Sequence, residues 1–76
     1  MKQNKPLNIR SAKASDFKAG DRVEYIEFDG TADPGTVSSV NDKYVFVRFD
    51  KHVAKFGWDG ATSQSCDPND LSMIAP

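Results

Sequence analysis

Cysteine occurs once in these 76 residues, at Cys66. A lone thiol excludes an intramolecular disulfide and removes the basis for a cysteine-rich metal scaffold. No apolar run approaches the roughly 20 residues that cross a bilayer. The opening stretch MKQNKPLNIR lacks the apolar core of a secretory leader, so a cytoplasmic setting is expected. No segment carries helical periodicity over the length of a helix. Phosphate-loop spacing is absent too, because Gly57 and Gly60 bracket only Trp58 and Asp59.

The strand signals are plentiful by contrast. From Phe17 to Ile74 the chain reads as five short strands separated by turn residues, the pattern of a small antiparallel barrel. Arg22–Phe28 places Val23 and Tyr25 on one face. Asp29–Pro34 gathers turn formers and is expected to be a loop. Gly35–Val40 breaks strict alternation, which predicts a bulge near Ser38–Ser39. Asn41–Asp42 is a tight turn. In Tyr44–Phe49, Val45, Val47 and Phe49 share one face while Tyr44, Phe46 and Arg48 share the other. Asp50–Gly60 is read as a long loop, Ala61–Cys66 as a polar strand, and Leu71–Ile74 as the closing strand. Between the last two, Asp67 caps a single helical turn with Pro68 at its first position. The expected core is Val23, Tyr25, Val37, Val45, Val47, Phe49, Leu71 and Ile74. A domain this small buries only about 60% of its unfolded surface, so its large apolar residues are in demand for that core.

Charge is distributed unevenly. Lys2, Lys5, Arg10 and Lys13 precede any acidic residue, and with Asp16 they give residues 1–16 a net +3. The remainder holds six basic and ten acidic residues, a net −4. Residues 1–15 are read as a disordered basic tail and residues 16–76 as the domain. The tail is either a solvated leader or an arm that contacts phosphates.

Several pieces carry a resemblance. The GDRV opening at Gly20–Val23, the G-x-V of Gly35–Val37, the V-x-V-x-F-D of Val45–Asp50 and the helical turn before Leu71–Ile74 resemble the SH3-like barrel superfamily, within it KOW and Tudor-like barrels. GTVSSVND, YVFVRFD and ATSQSCDPNDL also resemble small phage- and prophage-encoded proteins of uncharacterised role. The resemblance covers about residues 17–75. It implies a five-stranded barrel and, since that fold hosts RNA, DNA, peptide and ribosome binding, no single function. In Tudor-like barrels the loops after the first and third strands meet at a rim and form an aromatic cage for a cationic side chain. By loop position that rim corresponds here to Phe28, Phe56 and Trp58.

Chemistry of catalysis has few candidates. His52 and Cys66 are the residue types of a base and nucleophile, but nothing in their spacing brings them together. The same holds for a metal site from His52, Cys66, Asp50 and Asp59. Asp67 and Asp70 are explained by capping and turn formation. No enzyme, cofactor or metal is expected. Two binding readings remain. The first is a monomeric module that docks on a protein partner through Phe28, Phe56 and Trp58 and the stripe Tyr44, Phe46 and Arg48, unless Phe56 and Trp58 plug the barrel mouth. The second is a nucleic-acid accessory using Lys2, Lys5, Arg10 and Lys13 on phosphates and the stripe on bases. The acidic body repels a polyanion, which favours the first.

Overall fold

The computed structural model describes residues 12–74. Five antiparallel strands form one sheet: β1 (Arg22–Ile26), β2 (Ala32–Val40), β3 (Val45–Phe49), β4 (Gln64–Cys66) and β5 (Leu71–Met73), in the order β4-β3-β2-β1-β5. A helix, α1 (Asp50–Phe56), follows β3, and 3-10 turns span Ala14–Asp16 and Pro68–Asp70. The expected closing of the sheet by the last strand is not in the pairing. β5 pairs with β1 and β4 with β3, so both remain edges and the sheet is unclosed.

Those edges are nevertheless tethered. A flat five-stranded sheet holds its outer strands about 19 Å apart, four spacings of about 4.8 Å. From Cys66 to Leu71 an extended chain reaches at most about 17 Å. Here the link contains Pro68–Asp70, whose helical rise of about 2 Å per residue shortens it further. The sheet therefore curls. The turn itself forms as the sequence implies: the Asp67 carboxylate accepts from the Asn69 amide at 2.9 Å, Pro68 occupies the first turn, and the Asp70 amide donates to the Asp67 carbonyl.

Inside the curl sit Val23, Val37, Val45 and Val47, all fully buried, with Phe17, Phe49, Cys66 and Leu71 around them. Six of the eight expected core residues are buried. Tyr25 and Ile74 are half-buried, since Tyr25 opens toward a cleft and Ile74 lies past the end of β5. Ala14 and Ala61 were not anticipated and are buried. Packing thus begins at Ala14, within the stretch read as tail. Residues 1–11, with Lys2, Lys5 and Arg10, lie outside the described residues.

Several boundaries differ from expectation: β1 stops at Ile26 rather than Phe28, where the chain turns, and of the strand read at Ala61–Cys66 only Gln64–Cys66 pairs with β3. The loop read at Asp29–Pro34 is shorter, because β2 starts at Ala32. Residues 32–34 pair with β1 alone, and β3 joins only from Gly35. Pro34 can therefore sit in the strand without breaking a second ladder. The long loop read at Asp50–Gly60 begins as α1 instead. Its seven residues bury none of their side chains, so no apolar stripe announces it. Asp50 favours the N-terminal end of its dipole, and Gly57, at φ +80°, ends it by donating to the Val53 carbonyl at 2.8 Å. The bulge expected near Ser38–Ser39 is present, as the β2–β3 register shifts between Val37 and Ser39.

At Gly35 the β2–β3 pairing leaves no room for a side chain. A Cβ added there stands 2.6 Å from Val47 Cγ1 and 3.0 Å from the Arg48 carbonyl oxygen. Gly35→Ala should cost about 1–3 kcal/mol through overpacking, read as a lower denaturation midpoint. An unchanged midpoint contradicts the β2–β3 register.

Candidate functional site

The two faces of β3 serve different ends. Val45, Val47 and Phe49 point into the core, which leaves Phe46 and Arg48 on the outer face. On that face the bulge turns Ser38 to use. Arg48 Nε donates to the Ser63 hydroxyl at 3.0 Å, Ser63 and Ser38 hydroxyls lie 2.7 Å apart, and Ser38 donates to the Phe46 carbonyl at 3.1 Å. Arg48 Nη1 also donates to the Trp58 carbonyl at 2.9 Å, and its guanidinium lies 4.5 Å from the Trp58 ring centroid. Trp58 is thus a clamp on the outer face, 42% exposed. It neither stands free for a ligand cation nor plugs the core.

The residues expected at one rim are dispersed. Phe56 is exposed on α1 and lines a depression with His52, Gly60, Thr62 and Gln64. Phe28 lines a different depression with Glu27, Asp29, Thr31 and Asp33. Tyr44 is exposed in the β2–β3 turn, where the Asn41 carboxamide oxygen accepts from the Lys43 and Tyr44 amides. Phe46 is half-buried. In the stripe Tyr44, Phe46 and Arg48, the arginine is already engaged by its own fold. Of the tail cations, only Lys13 is described. It precedes the 3-10 turn Ala14–Asp16, its amide donating to the Asp16 carboxylate.

Phe28 is the outlier of the set, with a relative exposure of 107%. Its turn is well fixed. The Glu27 amide donates to the Thr31 carbonyl at 2.7 Å and the Gly30 amide to the Glu27 carbonyl at 2.9 Å. Asp29 Oδ1 accepts from the Thr31 amide at 2.9 Å and from the Thr31 hydroxyl. Those bonds hold the Asp29 carboxyl below its usual range.

Beside this turn the curl opens a cleft of about 210 Å³, lined by Tyr25, Phe49 and His52 and by Glu27, Asp33 and Gln64. The Phe49 ring meets Tyr25 and His52 edge to face, at centroid distances of 6.2 and 6.4 Å. A hydrogen bond with Asp33, then burial and the Asp33 charge, push the Glu27 carboxyl up, with Lys51 opposing. Lys51 Nζ stands 3.9 Å from Asp33. The start of α1 reaches this position through Arg22, which donates to both Asp50 carboxylate oxygens at 2.7 Å and to the Thr36 hydroxyl at 2.8 Å. That partner lowers the Asp50 carboxyl and raises the guanidinium.

His52 and Cys66, which the spacing did not connect, line this same cleft. Burial, followed by the Asp70 charge, pushes the Cys66 thiol up, away from the thiolate. Its Sγ lies 3.6 Å from the Gln64 carbonyl. Among the described residues no three His, Cys, Asp or Glu side chains are grouped to hold a metal ion, and no helix is long and apolar enough to cross a membrane. Sequence reasoning missed Glu27, Asp33 and Gln64; the β1–β2 hairpin sets the first two side by side, and Gln64 reaches them only in the folded sheet.

No protein-family model matches the chain, and no curated protein or solved structure gives a match.

Releasing the clamp has two readouts. Arg48→Ala should cost about 1 kcal/mol, from the ring contact and its hydrogen bonds. It should also shift the emission of Trp58, the sole tryptophan, toward that of a solvated indole. Unaltered emission and stability contradict the clamp.

Proposed function

We propose that this chain is a non-enzymatic interaction module that docks on a protein partner through the tip of its β1–β2 turn. Five short antiparallel strands with a helical turn before the last agree with the SH3-like class, and we read the curled sheet as a member of it. Since that class hosts many functions, the reading rests on the surface. Phe28 carries it. The ring gives nothing to the fold, yet its turn is fixed by backbone bonds and by Asp29. A preordered aromatic offers large contact area at little entropic cost, the property of an interface anchor. Ile26, two residues earlier, is also exposed, and Glu27, Asp29 and Asp33 line the depression beside Phe28. The complementary partner carries an apolar socket in a basic surround. Nucleic acid is less suited: an acidic turn repels phosphates, and Arg48 is committed to Trp58 and Ser63.

Phe28→Ala tests this reading. Its melting midpoint should stay within about 0.5 kcal/mol of the parent, as for other exposed positions. A partner captured by the parent chain and identified by mass spectrometry should be absent from captures with the variant. Retention of that partner contradicts the proposal. Recovery of nucleic acid instead, with affinity falling steeply in salt and lost on deleting residues 1–11, establishes the alternative.

A further inference from the structure

We propose that the cleft between the β1–β2 turn, the start of α1 and β4 receives an arginine side chain of the partner. The proposal rests on the chain being a protein-binding module, but the chemistry of the cleft stands by itself. Size comes first. At about 210 Å³ the cleft falls below the roughly 300–1,000 Å³ of typical small-molecule sites, which suits one side chain.

Its walls then select the kind of side chain. Tyr25, Phe49 and His52 supply aromatic surface, and Glu27 and Asp33 supply two adjacent carboxyls. A hydrogen bond with Asp33, then burial and the repulsion of the Asp33 charge, make Glu27 hold its proton more tightly than usual. A cation placed between them relieves that repulsion. Lys51 does so only in part, from 3.9 Å and with its side chain 62% exposed. A guanidinium is planar, lies along aromatic rings, and offers a fork of N–H donors that two carboxylates can share. An ammonium is a compact, strongly hydrated point charge with neither property. Glu27 and Asp33 border the Phe28 depression as well as the cleft, so one partner surface can engage both.

The test needs no partner. The full chain is titrated with N-acetyl-arginine amide and followed by amide NMR, with N-acetyl-lysine amide and N-acetyl-glutamine amide as comparisons. Saturable shifts are expected for arginine at Glu27, Asp33, His52 and Gln64, weaker ones for lysine, and none for glutamine. Glu27→Gln should weaken arginine binding, and Lys51→Met should tighten it by removing the competing cation. Each change should be roughly two- to fivefold, the span of one exposed charge contact. Lys51 is exposed and Glu27 half-buried, and neither belongs to the core cluster, so the variants should melt with the parent.

Binding should also fall with pH, beginning above the ordinary carboxylate range, because the proton returns to Glu27. Asp33 and Asp29 hold that proton on and Lys51 opposes it. The Glu27→Gln variant should lose this part of the dependence. Absence of saturable shifts with arginine overturns the proposal. So do equal shifts with glutamine, lysine binding as tightly as arginine, or an unchanged affinity in Glu27→Gln. If Phe28→Ala keeps its partner while the titration succeeds, the docking reading fails and the cleft stands. The converse result removes the cleft alone.

Discussion

The link between β4 and β5 is the constraint on which the rest depends. Cys66 and Leu71 end and begin the two edge strands of one sheet, and only residues 67–70 separate them. Asp67 and Pro68 fix that link as a helical turn, so the edges cannot lie as far apart as a flat sheet requires. Val23, Val37, Val45 and Val47 of β1, β2 and β3 are fully buried, and Cys66 and Leu71 from the two edges join them in one core cluster. Short edge strands of three residues also limit the unpaired backbone offered to other chains.

Curvature then decides what meets at the surface. It brings the β1–β2 turn, the first residues of α1 and β4 around one cleft, where aromatic walls and two carboxyls stand together. On the outer face a chain of hydrogen bonds runs from Arg48 through Ser63 and Ser38 to the β3 backbone and ties down the Trp58 turn. The consequence is a division of labour among the aromatics. Phe49 and Tyr25 build a wall, Trp58 holds a turn, and Phe28, the most exposed of the aromatics, is left without a role inside the fold.

Alternation made β1 and β3 legible in the sequence, and the Val37–Val40 spacing announced the bulge. DPND announced the 3-10 turn, since its capping chemistry is local. What stayed hidden was set by distant partners. Helix α1 has no buried side chain and is anchored by an arginine 28 residues away. The entry of Asp33 and Pro34 into β2 depends on β1 beside them, which overrides their turn preference. For the site, Phe28 and Trp58 were legible as candidates. Their separation was not, because the rim inferred from loop position ignored the pull of Arg48 on Trp58. Glu27 and Asp33 are set beside each other by the β1–β2 hairpin, whose register the turn residues did not reveal, and His52 joins them only in the folded chain.

The curl is tested most directly by nuclear Overhauser contacts across the core. Leu71 of β5 and the pair Val45 and Cys66 of β3 and β4 belong to one buried cluster. Cross-peaks linking the Leu71 methyls to side-chain protons of Val45 or Cys66 are therefore expected, alongside those between the Tyr25 and Phe49 rings. In a flat sheet β5 and β4 stand about 19 Å apart, far beyond the reach of the effect. Complete assignment of these protons without a single cross-peak from Leu71 to β3 or β4 would contradict the account.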